Sequence, residues 1–179
     1  MPRTIGVVTI CLSLLMPACF IFAEPTEKNK PIALSKGQYL LLDDRLIARS
    51  DGVERQLIQS DESDERKHDR RVARHAGARG GLLVTPWVTL DADRLMLNVD
   101  ARQGQVRVQV VDELDWPVYG LTFADCKPIK SDSLAAPVEW DQPLKMVRGK
   151  RVRLQFSIRN ASLFAFELSG PESRDLGRD

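Results

Sequence analysis

The sequence predicts an all-β protein, an antiparallel β-sandwich of the jelly-roll or concanavalin kind preceded by a signal peptide and a charged linker. Two observations carry that fold. Between Lys150 and Leu168, Val152, Leu154, Phe156 and Ile158 alternate with Arg151, Arg153, Gln155 and Ser157, the period of a strand with one buried face. After the polar break Arg159-Asn160-Ala161, Phe164, Phe166 and Leu168 resume the beat, which predicts a second strand joined to the first as a hairpin. Slipping either strand by one residue would put its large side chains into water at roughly 2 kcal/mol each, so the register is firmly set. The second observation is the recurrence of short alternating segments and turn residues from Leu82 onward, with no competing amphipathic helix.

Taken in order, residues 1–23 read as a secretory signal peptide. Arg3 gives a positive start, Ile5 to Leu15 is apolar but too short to span a membrane, and Phe22-Ala23 offers a cleavage point. A rival reading is lipid attachment at Cys19, within Leu15-Met16-Pro17-Ala18-Cys19. Either way the chain is expected outside the cytoplasm, secreted or periplasmic, with no transmembrane span. Removing 1–23 removes Arg3, its one charged residue, and takes the net charge from +1 to neutral. A neutral chain has no electrostatic footprint for nucleic acid. Of the three cysteines only Cys126 would remain, so the core must hold the fold without an intramolecular disulfide.

Residues 24–38 read as a flexible lead-in, and 39–58 as short strands around Asp43-Asp44-Arg45 that either join the sandwich as extra strands or lie across it. From 59 to 80 charges dominate, with little apolar surface to offset ordering the backbone, so a solvated linker is expected there. Both histidines, His68 and His75, lie in it at a spacing that could share a helical face, but no carboxylate or cysteine cluster clearly completes a metal site with them, which argues against one. The sandwich proper spans 81–169. Leu82–Thr85 and Trp87–Leu90 form a strand interrupted at Pro86, and the runs around Leu97 and Val108 alternate. Short strands are expected at Val118–Phe123 and Val138–Trp140, a loop-rich stretch at Asp125–Ala136, and a disordered tail at 170–179.

Several residues also carry a resemblance. Asp125-Cys126-Lys127-Pro128-Ile129, Asp132-Ser133, Val138-Glu139-Trp140, the run Gly149 to Phe156, and Arg159 to Phe164 resemble the C-terminal β-sandwich of a group of secreted bacterial proteins. Those proteins are similar to glycoside hydrolases with a five-bladed propeller, the invertase and arabinanase kind. Leu41 to Ala48 likewise resembles the segment just ahead of their propeller. In that family the propeller carries the catalytic carboxylates, whereas here only Gln59 to Arg79 stands in its place. A propeller blade takes roughly forty residues, so not even one fits. The resemblance therefore implies an accessory module without the family's catalytic part.

The residues themselves offer few alternatives. Glycoside hydrolysis needs two carboxyl groups roughly 5–10 Å apart across a bond. Asp43-Asp44 and Asp112, Glu113 and Asp115 are turn neighbours, which ordinarily point apart into solvent. Asp91 with Asp93, or Asp112 with Asp115, offers hard oxygens for a structural calcium ion, and no other cofactor is suggested. Trp116 and Tyr119, flanking Pro117 in a loop, are the candidate ligand-binding residues, against the alternative that they plug the end of the sandwich. Trp140 and Cys126 read as core, and Asn160-Ala161-Ser162 as a turn that also fits a glycosylation acceptor. The function expected is an exported accessory module whose partner is a polysaccharide or another exported protein. A structural or vestigial protein without sugar affinity is the alternative, and a glycosidase ranks last.

Overall fold

The computed structural model describes residues 31–34, 37–41, 43–58, 70 and 72–170. The expected signal peptide, the lipid-attachment candidate Cys19, His68 and most of the charged stretch and of the expected tail lie outside them. The strands are β1 (Ile32–Leu34), β2 (Gly37–Leu40), β3 (Arg49–Asp51), β4 (Glu54–Leu57), β5 (Val72–Ala76) and β6 (Gly81–Val84). They continue as β7 (Val88–Leu90), β8 (Arg94–Asp100), β9 (Gln105–Asp112), β10 (Asp132–Pro137), β11 (Arg151–Arg159) and β12 (Ala161–Ser169). They make two sheets, as an all-β sandwich requires. In the first, β9 runs along one edge of β11 while β6 and β7 lie end to end along the other, flanked by β3 and β1. In the second, the order is β10-β8-β12-β5-β4, with β2 continuing beside β12 where β5 stops. All pairs are antiparallel except β1 with β7. Between the sheets lies one apolar cluster that includes Leu97, Val99, Val108, Leu154, Phe156, Leu163 and Phe166.

The long strands β11 and β12 do not form the expected hairpin. They belong to opposite sheets, and the single residue between them, Asn160, turns the chain in the left-handed region at φ 44°. Each strand has an apolar face, and a hairpin would lay both faces on the same side of one sheet. Folding the chain over at Asn160 sets the two faces against each other, so that the Phe156 and Phe166 rings meet at 5.8 Å between centroids. The same wiring runs through the whole second half, where every connection from β7 to β12 passes from one sheet to the other. Within β12 the register shifts between Leu163 and Ala165. The shift keeps Leu163, Phe166 and Leu168 in the core, while Phe164 is buried beneath the Arg70 guanidinium, 4.7 Å above its ring. Phe164 does not share the beat of Phe166 and Leu168 as the alternation suggests.

The charged linker is also corrected. Val72–Ala76 is β5, and Val72, Ala73 and Ala76 are buried. Arg70 and Arg74, read from sequence as solvated, are 6% and 7% exposed. Arg70 donates through Nε to Asn98 (2.8 Å) and through Nη2 to the Val99 carbonyl (3.3 Å), and pairs with Asp132. Arg74 donates to the Leu41 carbonyl (3.0 Å) and pairs with Asp44, holding the crossing from β2 to β3. A buried charge is tolerated when its donors are used in this way. The lead-in likewise contributes β1 and the start of β2, and residues 39–58 join as strands, β3 on β6 and β4 on β5.

The strands expected at Val118–Phe123 and Val138–Trp140 are turns and extended loop, with one isolated bridge, Val111 to Pro117. The strand there is β10, from the stretch read as loop-rich. It pairs with β8 through a register shift between Ser133 and Ala136, so its own alternation is blurred. The break at Pro86 falls where predicted, between β6 and β7.

Candidate functional site

The antiparallel wiring gathers the sequence-picked residues at one end of the sandwich. Asp91 and Asp93 precede β8, the loop from Glu113 to Leu121 follows β9, and the loop leading into β11 returns there. Pairing of Val152 with Asp112 and of Arg151 with Thr89 ties these segments together.

The loop after β9 is built to be rigid. Asp112 Oδ1 accepts from the Leu114 and Trp116 amides, both at 3.0 Å, and the Asp112 amide donates to the Trp116 carbonyl at 2.9 Å. Asp115 adopts φ 61°, in a turn closed by its amide on the Asp112 carbonyl, and its carboxylate lies 3.1 Å from Arg153. Val118 then donates to Val110 and Leu121 to Val118. On this frame Trp116 and Tyr119 are 69% and 86% exposed, so neither plugs the sandwich. Leu114 beside them is also exposed. Tyr119 lines a cleft of about 590 Å³ with Leu114, Val118, Val147 and Val152, and Trp116 stands outside it. The cleft's charged groups are Asp112, Glu113, Lys150 and Arg151.

A second cleft, of about 420 Å³, opens at the same end. Trp140, half-buried and fixed by an Nε1 bond to the Val108 carbonyl (2.8 Å), contributes to its wall with Gln142 and Leu144. Lys127 and Glu139 pair across 2.7 Å at its rim, and the Lys127 pKa is raised chiefly by that hydrogen bond. Sequence reasoning missed Gln142, Lys150 and the 3-10 turn Leu144–Val147, because nothing in their spacing marks them.

The carboxylates considered for calcium are engaged by arginines or by loop amides. Arg148 Nε donates to Asp91 at 3.0 Å, and its Nη1 lies 3.3 Å from a buried oxygen of Asp93, close enough for charge but not aligned as a hydrogen bond. Asp112 and Asp115 are committed to the loop amides and Arg153. Among the described residues no three His, Cys, Asp or Glu side chains converge. Asp43 is bonded to Arg45, which lowers its pKa, and Asp44 to Arg74, so these neighbours do not face one another across a cleft.

His75, expected in solvent, is half-buried on β5 with Nδ1 3.0 Å from Ser162 Oγ and Glu54 opposite in register. The pair sits on a sheet and belongs to neither cleft. Cys126 is buried, as read. Its Sγ accepts from the Val108 amide at 3.3 Å, and burial pushes its thiol pKa up. A thiol held protonated is a poor nucleophile. Among the described residues no helix is long and apolar enough to cross a membrane.

No protein-family model, curated protein or solved structure matches this chain.

Proposed function

We propose that the chain is an exported, non-catalytic β-sandwich module that holds carbohydrate through Trp116 and Tyr119, an accessory domain of the glycoside-hydrolase-like kind. The observation that carries this reading is two exposed aromatic rings on a loop already fixed by Asp112 and Arg153. Rings carried on a backbone fixed before binding spare the loop its ordering cost on stacking against a sugar, and aromatic faces are the usual partners of apolar sugar faces. Asp112 and Asp115 beside them are engaged by loop amides and Arg153, which supports binding over hydrolysis. Retention of the protein on insoluble polysaccharides tests the reading. Trp116→Ala and Tyr119→Ala should each weaken retention by roughly tenfold. Full retention by the double variant would sink the assignment, and sugar release by the pure protein would replace it with a glycosidase. A second reading, an interaction module for another exported protein, draws on Leu114, an aliphatic side chain exposed beside the rings. It predicts no retention on polysaccharide and capture of a protein partner that Leu114→Ser abolishes.

A further inference from the structure

The two clefts have matching charge. The one beside Tyr119 holds two carboxylates, Asp112 and Glu113, and two cations, Lys150 and Arg151. The one beside Trp140 holds Asp93 and Glu139 with Arg94 and Lys127. Each is formally neutral and offers donors and acceptors together with one aromatic ring. An anionic polymer would meet as much repulsion as attraction there, whereas a hydroxyl-rich uncharged chain can use both signs.

The clefts are also adjacent. Leu144 lines one and Val147 the other, and both belong to the same single 3-10 turn, in which three residues advance only about 6 Å. A second contact joins them behind that turn. The Gln142 amide donates to the Gly120 carbonyl at 3.1 Å, and the Gln142 side chain packs on Gly120 so closely that a Cβ there would lie 2.3 Å from Gln142 Cγ. Gln142 lines the Trp140 cleft, and Gly120 follows Tyr119 of the other. We infer that the two clefts are neighbouring parts of one site, and that its ligand is an extended neutral polysaccharide lying across the Leu144–Val147 turn. This rests on the carbohydrate reading above and adds the ligand's charge and its length.

Calorimetric titration of the whole chain separates the two claims. The probes are linear cello-, xylo-, manno- and arabino-oligosaccharides from disaccharide to hexasaccharide, with polygalacturonate as the anionic counterpart. In the series that binds, affinity should rise by roughly tenfold or more from disaccharide to hexasaccharide. Gln142→Ala, at an exposed position that lines the Trp140 cleft and keeps its backbone bond to Gly120, should cut hexasaccharide affinity about threefold or more and leave the disaccharide unchanged. Tyr119→Ala should weaken both. Equal affinity for short and long chains, or a Gln142→Ala variant indistinguishable from the parent on the hexasaccharide, overturns the extended site while the carbohydrate reading stands. Tighter binding of polygalacturonate overturns neutrality. Binding of no oligosaccharide and no polysaccharide overturns the carbohydrate reading and this inference with it.

Discussion

Thr85 shows how one side chain can stand in for backbone. Pro86 interrupts the strand beside β11, and the ladder would lose a partner for Leu154 there. The Thr85 amide donates to the Leu154 carbonyl, and its hydroxyl accepts from the Leu154 amide, both at 3.0 Å, in a site 1% exposed. Valine has the same shape without the acceptor, so Thr85→Val should leave a buried amide unpaired and cost about 1–3 kcal/mol. Urea unfolding reads this as a lower midpoint with an unchanged slope, and an unmoved midpoint would mean that water reaches Leu154. Cys126 plays a comparable part at the open edge of β9. Its sulfur accepts from the Val108 amide while the Trp140 indole donates to the Val108 carbonyl, closing an edge that would otherwise invite another strand. Burial of both residues is legible in the sequence. Their bonds to Val108 are not, because neither spacing nor composition reveals which strand ends a sheet.

At the scale of elements, the alternation in β11 and β12 identifies two strands and their apolar faces but not whether those faces lie side by side or opposed. A turn decides that, and the turn here is one residue, Asn160, at φ 44°. Asparagine and glycine tolerate this conformation, and a β-branched residue does not. Asn160→Gly should be close to neutral, whereas Asn160→Val should cost about 1–2 kcal/mol. Thermal melting of the pair provides the check, and equal losses would show that the side chain, not the backbone, matters. The neighbouring β8–β9 turn packs onto the same arch: a Cβ on Gly104 would lie 1.8 Å from the Arg159 carbonyl oxygen. Since that obstacle is backbone, Gly104→Ala should destabilise by roughly 1–3 kcal/mol, while Gly77→Ala, with open space around it, should not. If both variants melt together, the arch has slack that its geometry denies. The bulge in β12 and the crossing of β10 escaped the sequence for a related reason: each register shift breaks the period that identifies a strand.

At the scale of the molecule, Arg70 and Arg74 act as buried clamps rather than as solubilising surface, and this is where a reading by composition went furthest astray. A charge-rich stretch with few apolar residues looks solvated, yet Arg70 and Arg74 within it reach across to Asp132, Asn98 and Asp44 and close the second sheet. Nothing local to residues 59–80 could reveal partners that far along the chain. A different arginine contact, Arg102 on Asp100, bears on how stability depends on pH. The Arg102 hydrogen bonds hold the Asp100 carboxyl below its ordinary 3.8 in the folded state, against the opposing effect of burial. That stabilisation is fully present above 3.8 and is lost as pH falls through the lower folded value. Asp43, lowered by Arg45, and Asp125, lowered by Thr122, act in the same direction, but they lie near the surface, where screening reduces their share. At the alkaline end the sign reverses. Burial raises the Cys126 thiol above its ordinary 9.0, so the folded state keeps a proton that the unfolded chain releases. The stability tied to that proton is intact below 9.0 and declines as pH climbs toward the folded value. Melting temperatures from about pH 2 to about pH 11 should therefore trace a plateau with two limbs. Asp100→Asn should lower the plateau and flatten the acid limb alone, and Cys126→Ala should flatten the alkaline limb alone. An acid limb of unchanged steepness in Asp100→Asn would move the acid sensitivity to carboxylates outside the Arg102 clamp.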